Sequence, residues 1–212
     1  MTEPSEYFRV LFVCTGNICR SPVAEQVARE RFGRYGVEVS SAGTRAIDGD
    51  IMPQQAEAIS RGLGADPSRH RAERLDIEKI EKADLVIAME REHRSSIVRA
   101  VPRASRYTFT LRELARVLDN VASESGVDVH KPEGVTLAAH LRSLVPVVAA
   151  RRGFAEQPAK PEYDDVSDPY RRSQQVYDRS GEQIAQAFAS IAESINQLTA
   201  ASRDGGISAT LR

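Results

Sequence analysis

The chain has 212 residues, a length typical of one domain with room for an insertion or a tail. It is 41% hydrophobic and 28% charged, with no run of 18 apolar residues and no charged-then-apolar leader, which argues against membrane spans, collagen, general disorder and a cleavable secretion signal. Because 29 Lys and Arg balance 30 Asp and Glu, no overall positive field favours nucleic acid or anionic lipid. We therefore expect neither a nucleic-acid nor a membrane partner, and any bound anion needs a local site.

The two cysteines, Cys14 and Cys19, lie close together in the chain. Two cysteines are too few for a disulfide scaffold, and the pair lacks the further ligands that a structural zinc site requires. The composition is instead typical of a cytoplasmic protein with reactive or redox-paired thiols. No metal site is predicted.

A strand followed by a loop and a helix opens the chain. The short apolar run Phe8–Val13 is typical of a strand buried on both faces of a parallel sheet. After the loop, Ser21 followed by Pro22 predicts a helix with Ser21 as its N-cap and Pro22 at its first position.

Strands and helices alternate along most of the chain, which predicts an α/β fold with a parallel sheet and helices on both faces. The predicted strands are Val37–Ser40, Leu85–Met89 and Tyr107–Phe109; the predicted helices are Ile51–Leu63, Glu90–Arg99 and a long amphipathic helix through Ile184–Leu198.

The pattern changes between about Asn120 and Tyr163, where Ser, Gly and Pro flank one apolar helix, Leu137–Ala150, which contains Pro146. We interpret residues 120–162 as an insertion that folds back on a domain spanning 1–199, because about 40 residues rarely bury a core of their own. An arm that docks a partner is the alternative. Residues 200–212 are predicted to form a flexible tail.

The loop after the first strand has the features of an anion site. A loop that leaves a parallel strand and enters a helix points backbone N–H groups inward, toward the positive end of the helix dipole. Gly16 permits close approach, Asn17 tolerates a left-handed backbone, and Arg20 offers a planar pair of donors. Cys14 would lie beneath the bound anion as a thiolate nucleophile. A buried cysteine that only packs in the core is the alternative.

The segment Val13–Pro22, which reads VCTGNICRSP, resembles the signature of the low-molecular-weight protein tyrosine phosphatase family. The resemblance extends over Phe8–Phe109 and resumes at about Tyr163–Leu198. It implies a single α/β domain with a four-stranded parallel sheet of order 2-1-3-4. The phosphate loop would then follow the first strand, at the switch point where open α/β sheets place their ligands.

The same resemblance implies hydrolysis of protein phosphotyrosine through a cysteinyl phosphate on Cys14, with Arg20 on the phosphate and without a cofactor. Asp168, in the stretch Asp-Pro-Tyr, matches the family's general acid. The chemistry needs such a group because phenolate, whose conjugate acid has a pKa of about 10, leaves more easily when it is protonated. Asp164 and Asp165 are close enough in sequence to compete for this role.

Other site residues carry over from the resemblance with assigned places. The phosphate-binding loop would comprise Thr15, Gly16, Asn17, Ile18, Cys19 and Ser21. Ser41 and His70 would support that loop by hydrogen bonds, together with Asn17 and Ser21. Ile47 and Tyr170 would line the substrate mouth, although family members often carry a larger aromatic residue at the Ile47 position and a second one at the Arg171 position. A reversible Cys14–Cys19 disulfide could protect the thiolate from over-oxidation.

Related functions remain as alternatives. Thiol-dependent arsenate reductases with an internal relay need cysteines downstream, and this chain has none after Cys19. Protein arginine phosphatases typically carry threonine where this chain has Ile18, whose bulk should pack against an aryl ring. A phosphatase of small metabolites is a further alternative, as is a phospho-binding module without catalysis, although both Cys14 and Asp168 are present. The predicted partner is a tyrosine-phosphorylated protein, for which a bacterial tyrosine kinase is a candidate.

Overall fold

The computed structural model describes residues 7–124, 131–132 and 134–200. A sheet of four parallel strands, in the order β2-β1-β3-β4, forms its centre, which confirms the predicted fold class and strand order. The strands are β1 (Phe8–Cys14), β2 (Val37–Gly43), β3 (Leu85–Ala88) and β4 (Thr108–Thr110).

Helices connect the strands and cover both faces of the sheet. They are α1 (Arg20–Phe32), α2 (Gln54–Gly62), α3 (Ile77–Lys82), α4 (Arg91–Ala100), α5 (Leu111–Ser123), α6 (Leu137–Arg151) and α7 (Gln174–Ala200). Neither α3 nor α5 was predicted from the sequence. None of the helices in the described ranges is both long and apolar enough to cross a bilayer.

Alternation along β1 explains why helices lie on both faces. Phe8, Val10 and Phe12 pack in one buried cluster with residues of α1, α5 and α7. Leu11 and Val13 point to the other face and pack with residues of α3 and α4. Because successive side chains of a strand point to opposite faces, a continuous apolar run needs cover on both sides.

The start of α1 differs from the prediction. Its first residue is Arg20 and its N-cap is Cys19, so Ser21 is the second helical residue and not the cap. The Ser21 hydroxyl is used elsewhere, since it accepts a hydrogen bond from the Asn17 amide and lies 3.0 Å from the Cys14 sulfur. The prediction that α2 starts at Ile51 is also wrong, because the extended backbone of Pro53 caps a helix that begins at Gln54.

Helix α6, in the segment interpreted as an insertion, packs at the end of the sheet where β1 and β3 begin. The Arg142 guanidinium donates to the backbone oxygen of Tyr7 at 2.7 Å and to the Asp84 carboxylate at 3.0 Å. Leu144 and Val148 are buried in the same cluster as β1. Arg142 therefore anchors this helix at the end of β1 opposite to Cys14. Beyond Ala200, the predicted tail lies outside the residues that the structure describes.

Candidate active site

The loop between β1 and α1 is held in place by the end of β2. The backbone N–H of Thr44 donates to the oxygen of Cys14 at 2.9 Å, and that of Arg45 donates to the oxygen of Thr15 at 2.8 Å. Gly43 allows this contact, because a Cβ at this position would lie 2.6 Å from the Thr15 oxygen and 2.9 Å from the Asn17 nitrogen. The close approach therefore requires glycine at the last position of β2.

Asn17 shapes the loop. Its backbone is left-handed, with φ of 54°, and its buried side chain makes three hydrogen bonds. The amide donates to Ser41 at 2.7 Å and to Ser21 at 2.9 Å, and the amide oxygen accepts from the Glu73 backbone N–H at 2.8 Å. His70 adds a contact of 2.7 Å between its Nε2 and the Asn17 backbone oxygen. The structure thus brings together the residues that were predicted to support the loop.

Glu25 of α1 extends this network and was not predicted. Its carboxylate accepts a hydrogen bond from the Ser41 hydroxyl at 2.6 Å and lies 4.0 Å from Nδ1 of His70. The carboxylate therefore links Ser41 to His70. Its position on the first turns of α1, beside the loop, was the available sequence signal.

The Cys14 sulfur is buried and receives hydrogen bonds from the loop itself. The Asn17 backbone N–H donates to it at 3.2 Å. The Ser21 hydroxyl lies 3.0 Å away and already accepts from the Asn17 amide, so its own proton is free to point at the sulfur. Both contacts place hydrogen-bond donors at the sulfur.

Arg20 is buried, lines the same cavity as Cys14, and is held by two carboxylates. Its Nη1 lies 2.5 Å from the Glu90 carboxylate and 3.1 Å from the Val166 backbone oxygen. Its Nη2 lies 3.1 Å from Oδ2 of Asp168. These contacts fix the plane of the guanidinium, and only the Asp168 contact involves a half-exposed side chain.

The segment that carries Asp168 is anchored by its neighbours. Val166 extends the end of β3 by donating to the Met89 backbone oxygen at 2.8 Å. Asp165 pairs with Arg91, and the Asp164 carboxylate pairs with an arginine of α5. The two aspartates that could have competed with Asp168 are thus engaged away from Arg20.

Glu90 and His93 form a further group that the sequence analysis missed. His93 is buried, and its Nε2 lies 2.9 Å from the Thr15 hydroxyl and 3.7 Å from the Glu90 carboxylate. Burial, aided by the charge of Arg20, lowers the pKa of His93 to about 4, so the ring is neutral at pH 7. Burial raises the pKa of Glu90, while Arg20 opposes that shift. Both residues follow β3, next to β1 at the switch point, which was the signal that could have identified them.

A family model decides where the chain belongs. The model described as low molecular weight phosphotyrosine protein phosphatase matches residues 9–135, more than half of the chain. The chain belongs to the low molecular weight phosphotyrosine protein phosphatase family.

Relatives of this phosphatase carry two kinds of name. A protein-arginine-phosphatase from Geobacillus stearothermophilus is 38% identical over 112 residues, which cover 53% of this chain and 74% of the relative. The low molecular weight protein-tyrosine-phosphatase Ptp of Acinetobacter johnsonii is 32% identical over 106 residues, covering 50% and 73%. The solved low molecular weight protein tyrosine phosphatase from T. tengcongensis superposes with a TM-score of 0.61 at 28% identity, covering 88% of this chain and 98% of that one.

The phosphatase has a cavity of about 200 Å³ above the loop. Ile47 and Tyr170, the predicted mouth residues, both line it, and Ile47 is 70% exposed. Arg45 and Asp50 line it as well, and neither was predicted. The other lining residues are Cys14, Thr15, Gly16, Ile18, Cys19, Arg20 and Asp168. Within the described part of the chain, no cluster of three or more His, Cys, Asp or Glu could hold a metal ion.

Cys19, the second cysteine of the loop, is held as a thiol by burial. It is buried with its sulfur 3.9 Å from the Tyr177 hydroxyl, and burial raises the pKa of the Cys19 thiol to about 12. Cys19 is therefore a protonated thiol at neutral pH, and both cysteines are free in this structure. The regulatory Cys14–Cys19 disulfide stays a prediction.

The buried neutral His93 should make the stability of the phosphatase depend on pH. Above pH 6.5, the ring is neutral in both the folded and the unfolded chain. As the pH falls toward 4, the unfolded chain binds a proton that the folded chain excludes, so the free energy of unfolding falls by up to about 3 kcal/mol. Urea unfolding of wild type and His93→Gln between pH 7 and pH 4 tests this. The wild type should lose more stability than the variant over that range, and parallel pH curves would contradict the assignment.

Proposed function

We propose that this phosphatase hydrolyses phosphotyrosine in proteins through a cysteinyl phosphate on Cys14. The observation that carries the proposal is the convergence of three groups on one cavity. Cys14 and Arg20 line it from the phosphate loop, and Asp168 lines it from a segment far along the chain, with its carboxylate 3.1 Å from Arg20. A nucleophile, an anion binder and a proton donor are the parts that phosphoryl transfer to an enzyme thiol requires.

In the first step, the phosphoryl group of the substrate binds in the loop. Backbone N–H groups from Thr15 to Arg20 and the Arg20 guanidinium would hold its oxygens, and the Cys14 sulfur would attack phosphorus as the bond to the phenolic oxygen breaks. The dianion would replace the Asp168 carboxylate on Nη2 of Arg20, since it carries more charge. Freed from Arg20, the Asp168 carboxyl group would take up a proton from solvent and donate it to the leaving oxygen as the sulfur attacks.

In the second step, water attacks phosphorus and the bond to the Cys14 sulfur breaks. Asp168, now ionised, accepts a proton from that water, and inorganic phosphate leaves. The hydrogen bonds from Ser21 and Asn17 to the sulfur stabilise it as the leaving thiolate. The same contacts therefore serve attack and departure, and Asp168 both donates and accepts the protons of the cycle without a cofactor.

The remaining predicted residues have supporting roles in this proposal. Ser41 and His70 would hold Asn17 in its left-handed conformation. Glu90 and His93, which the structure adds, would orient Arg20 and Thr15 as positioning residues. Ile47 and Tyr170 would contact the ring of the substrate at the mouth. The remaining loop residues Gly16, Ile18 and Cys19 would form the phosphate-binding turn and its wall.

Hydrolysis of phosphoarginine in proteins is the second candidate function, because a relative 38% identical to this chain is named protein-arginine-phosphatase. Ile18 favours phosphotyrosine. Its side chain lines the cavity and carries no polar atom, so it can pack against an aryl ring but cannot hydrogen-bond a guanidinium. A branched apolar group also crowds the planar cation beside the phosphorus.

The partner in this proposal is a tyrosine-phosphorylated protein, and a bacterial tyrosine kinase is the candidate we favour. The compartment we propose is the cytoplasm, because the mechanism needs Cys14 as a free thiol and reducing conditions preserve one.

Matched peptides that differ only in the phosphorylated residue test the reaction and its substrate class. We expect phosphate release from the phosphotyrosine peptide in the presence of EDTA, and a lower kcat/KM for the phosphoarginine peptide. We expect no phosphate release from the phosphoserine peptide, because its short side chain cannot reach Cys14. Cys14→Ser should release no phosphate. A higher kcat/KM for the phosphoarginine peptide than for the phosphotyrosine peptide would make phosphoarginine the substrate. Turnover by Cys14→Ser near the wild-type rate would contradict the mechanism.

The role of Asp168 predicts a dependence on the leaving group. Asp168→Asn should lower kcat/KM about 10²–10⁴-fold for phenyl phosphate and much less for nitrophenyl phosphate, because kcat/KM reports the first chemical step and a nitrophenolate leaves without a proton. Asp119→Asn, at an exposed position of α5, serves as the matched control and should leave both rates unchanged. Equal losses for both substrates in Asp168→Asn would point to another acid.

A further inference from the structure

Two opposite charges stand unpaired at the mouth of the cavity. Arg45 and Asp50 both line it, both are exposed, and neither forms an ion pair with any residue in the described ranges. The other two charged residues of the cavity, Arg20 and Asp168, pair with each other. The uncompensated charge that a bound substrate meets beyond its phosphoryl group is therefore that of Arg45 and Asp50.

The backbone holds both residues in fixed positions beside the phosphate loop. The Arg45 N–H donates to the Thr15 oxygen at 2.8 Å, so Arg45 is attached to the residue after the nucleophile. Asp50 is anchored on both sides: its N–H donates to the Ile47 oxygen at 3.2 Å, and its oxygen accepts from the Ala72 N–H at 2.8 Å. Neither side chain contributes to these contacts, so both charged groups remain available to a ligand.

The two candidate substrates differ in the charge that follows the phosphoryl group. Phosphotyrosine places a neutral aromatic ring in the mouth, whereas phosphoarginine places a planar guanidinium cation there. A guanidinium such as that of Arg45 attracts the face of an aromatic ring and repels another cation. A carboxylate such as that of Asp50 attracts the cation and gains nothing from the ring.

We propose that Arg45 and Asp50 are opposing specificity-determining residues of this site. Arg45 favours the aryl phosphate, and Asp50 favours the guanidino phosphate, so the preference of the enzyme depends on the balance between the two charges. This inference rests on the proposed function, because it assumes that the cavity binds a phosphorylated side chain. It assigns to these residues a role that the reaction itself does not require.

The ratio of kcat/KM for phosphoarginine peptide to kcat/KM for phosphotyrosine peptide measures the balance. At low salt, Arg45→Gln should raise this ratio about two- to fivefold, and Asp50→Asn should lower it by a similar factor, as expected for single exposed charges. The double variant should return toward the wild-type ratio. Salt at 0.5 M should shrink both shifts, since it screens exposed charges.

Charge changes elsewhere on the surface provide the controls. Arg34→Gln, after α1, and Asp119→Asn, on α5, remove exposed charges of the same signs and should leave the ratio unchanged. Thermal unfolding of each variant checks that the fold is kept.

The outcomes separate this inference from the proposed function. If the wild type hydrolyses neither peptide, the proposed function fails and this inference fails with it. If the wild type hydrolyses at least one substrate but either single variant keeps the wild-type ratio, or moves it opposite to the direction stated, the specificity role alone is overturned.

Discussion

The side chain of Asn17 is the constraint on which the rest of the site depends. A left-handed backbone costs a residue other than glycine roughly 1 kcal/mol or more, and here the side-chain hydrogen bonds to Ser21, Ser41 and Glu73 offset that cost. The turn that results points the Asn17 N–H at the Cys14 sulfur. A loop without these bonds would relax, and its N–H groups would no longer face one anion.

The fold brings distant parts of the chain to this loop. Parallel strands end at the same edge of the sheet. There β1 ends at Cys14, β2 ends at Gly43 and is followed by Arg45, and β3 is followed by Glu90 and His93. Asp168 reaches the same edge because Val166 hydrogen-bonds to the end of β3. Helix α6 packs at the opposite edge. The described helix of the segment interpreted as an insertion therefore contributes to the hydrophobic core. That helix does not cover the mouth of the cavity.

Local patterns in the sequence were enough for the sheet and the loop, and the reasons for the misses are physical. The sequence does contain a signal for helix α5, since Thr110 and Glu113 form a capping box before an apolar face. The helix directly follows the three-residue strand β4, so the two elements could not be separated from sequence. Ser21 looked like a cap because its chemistry suits one, yet the loop uses that hydroxyl on Cys14. Arg45 became visible only in three dimensions, because its backbone bonds to Thr15, which lies in another segment.

The central claim is that the Cys14 sulfur carries the phosphoryl group during turnover. Rapid quench of Asp168→Asn with nitrophenyl phosphate, followed by peptide mass spectrometry, measures it directly. This substrate forms the intermediate without an acid, and loss of the base for the second step should let the intermediate accumulate. The account predicts one phosphoryl group on the peptide that contains Cys14, attached to that sulfur. A phosphoryl group on another residue, or continued turnover with none on Cys14 at any quench time, would contradict it.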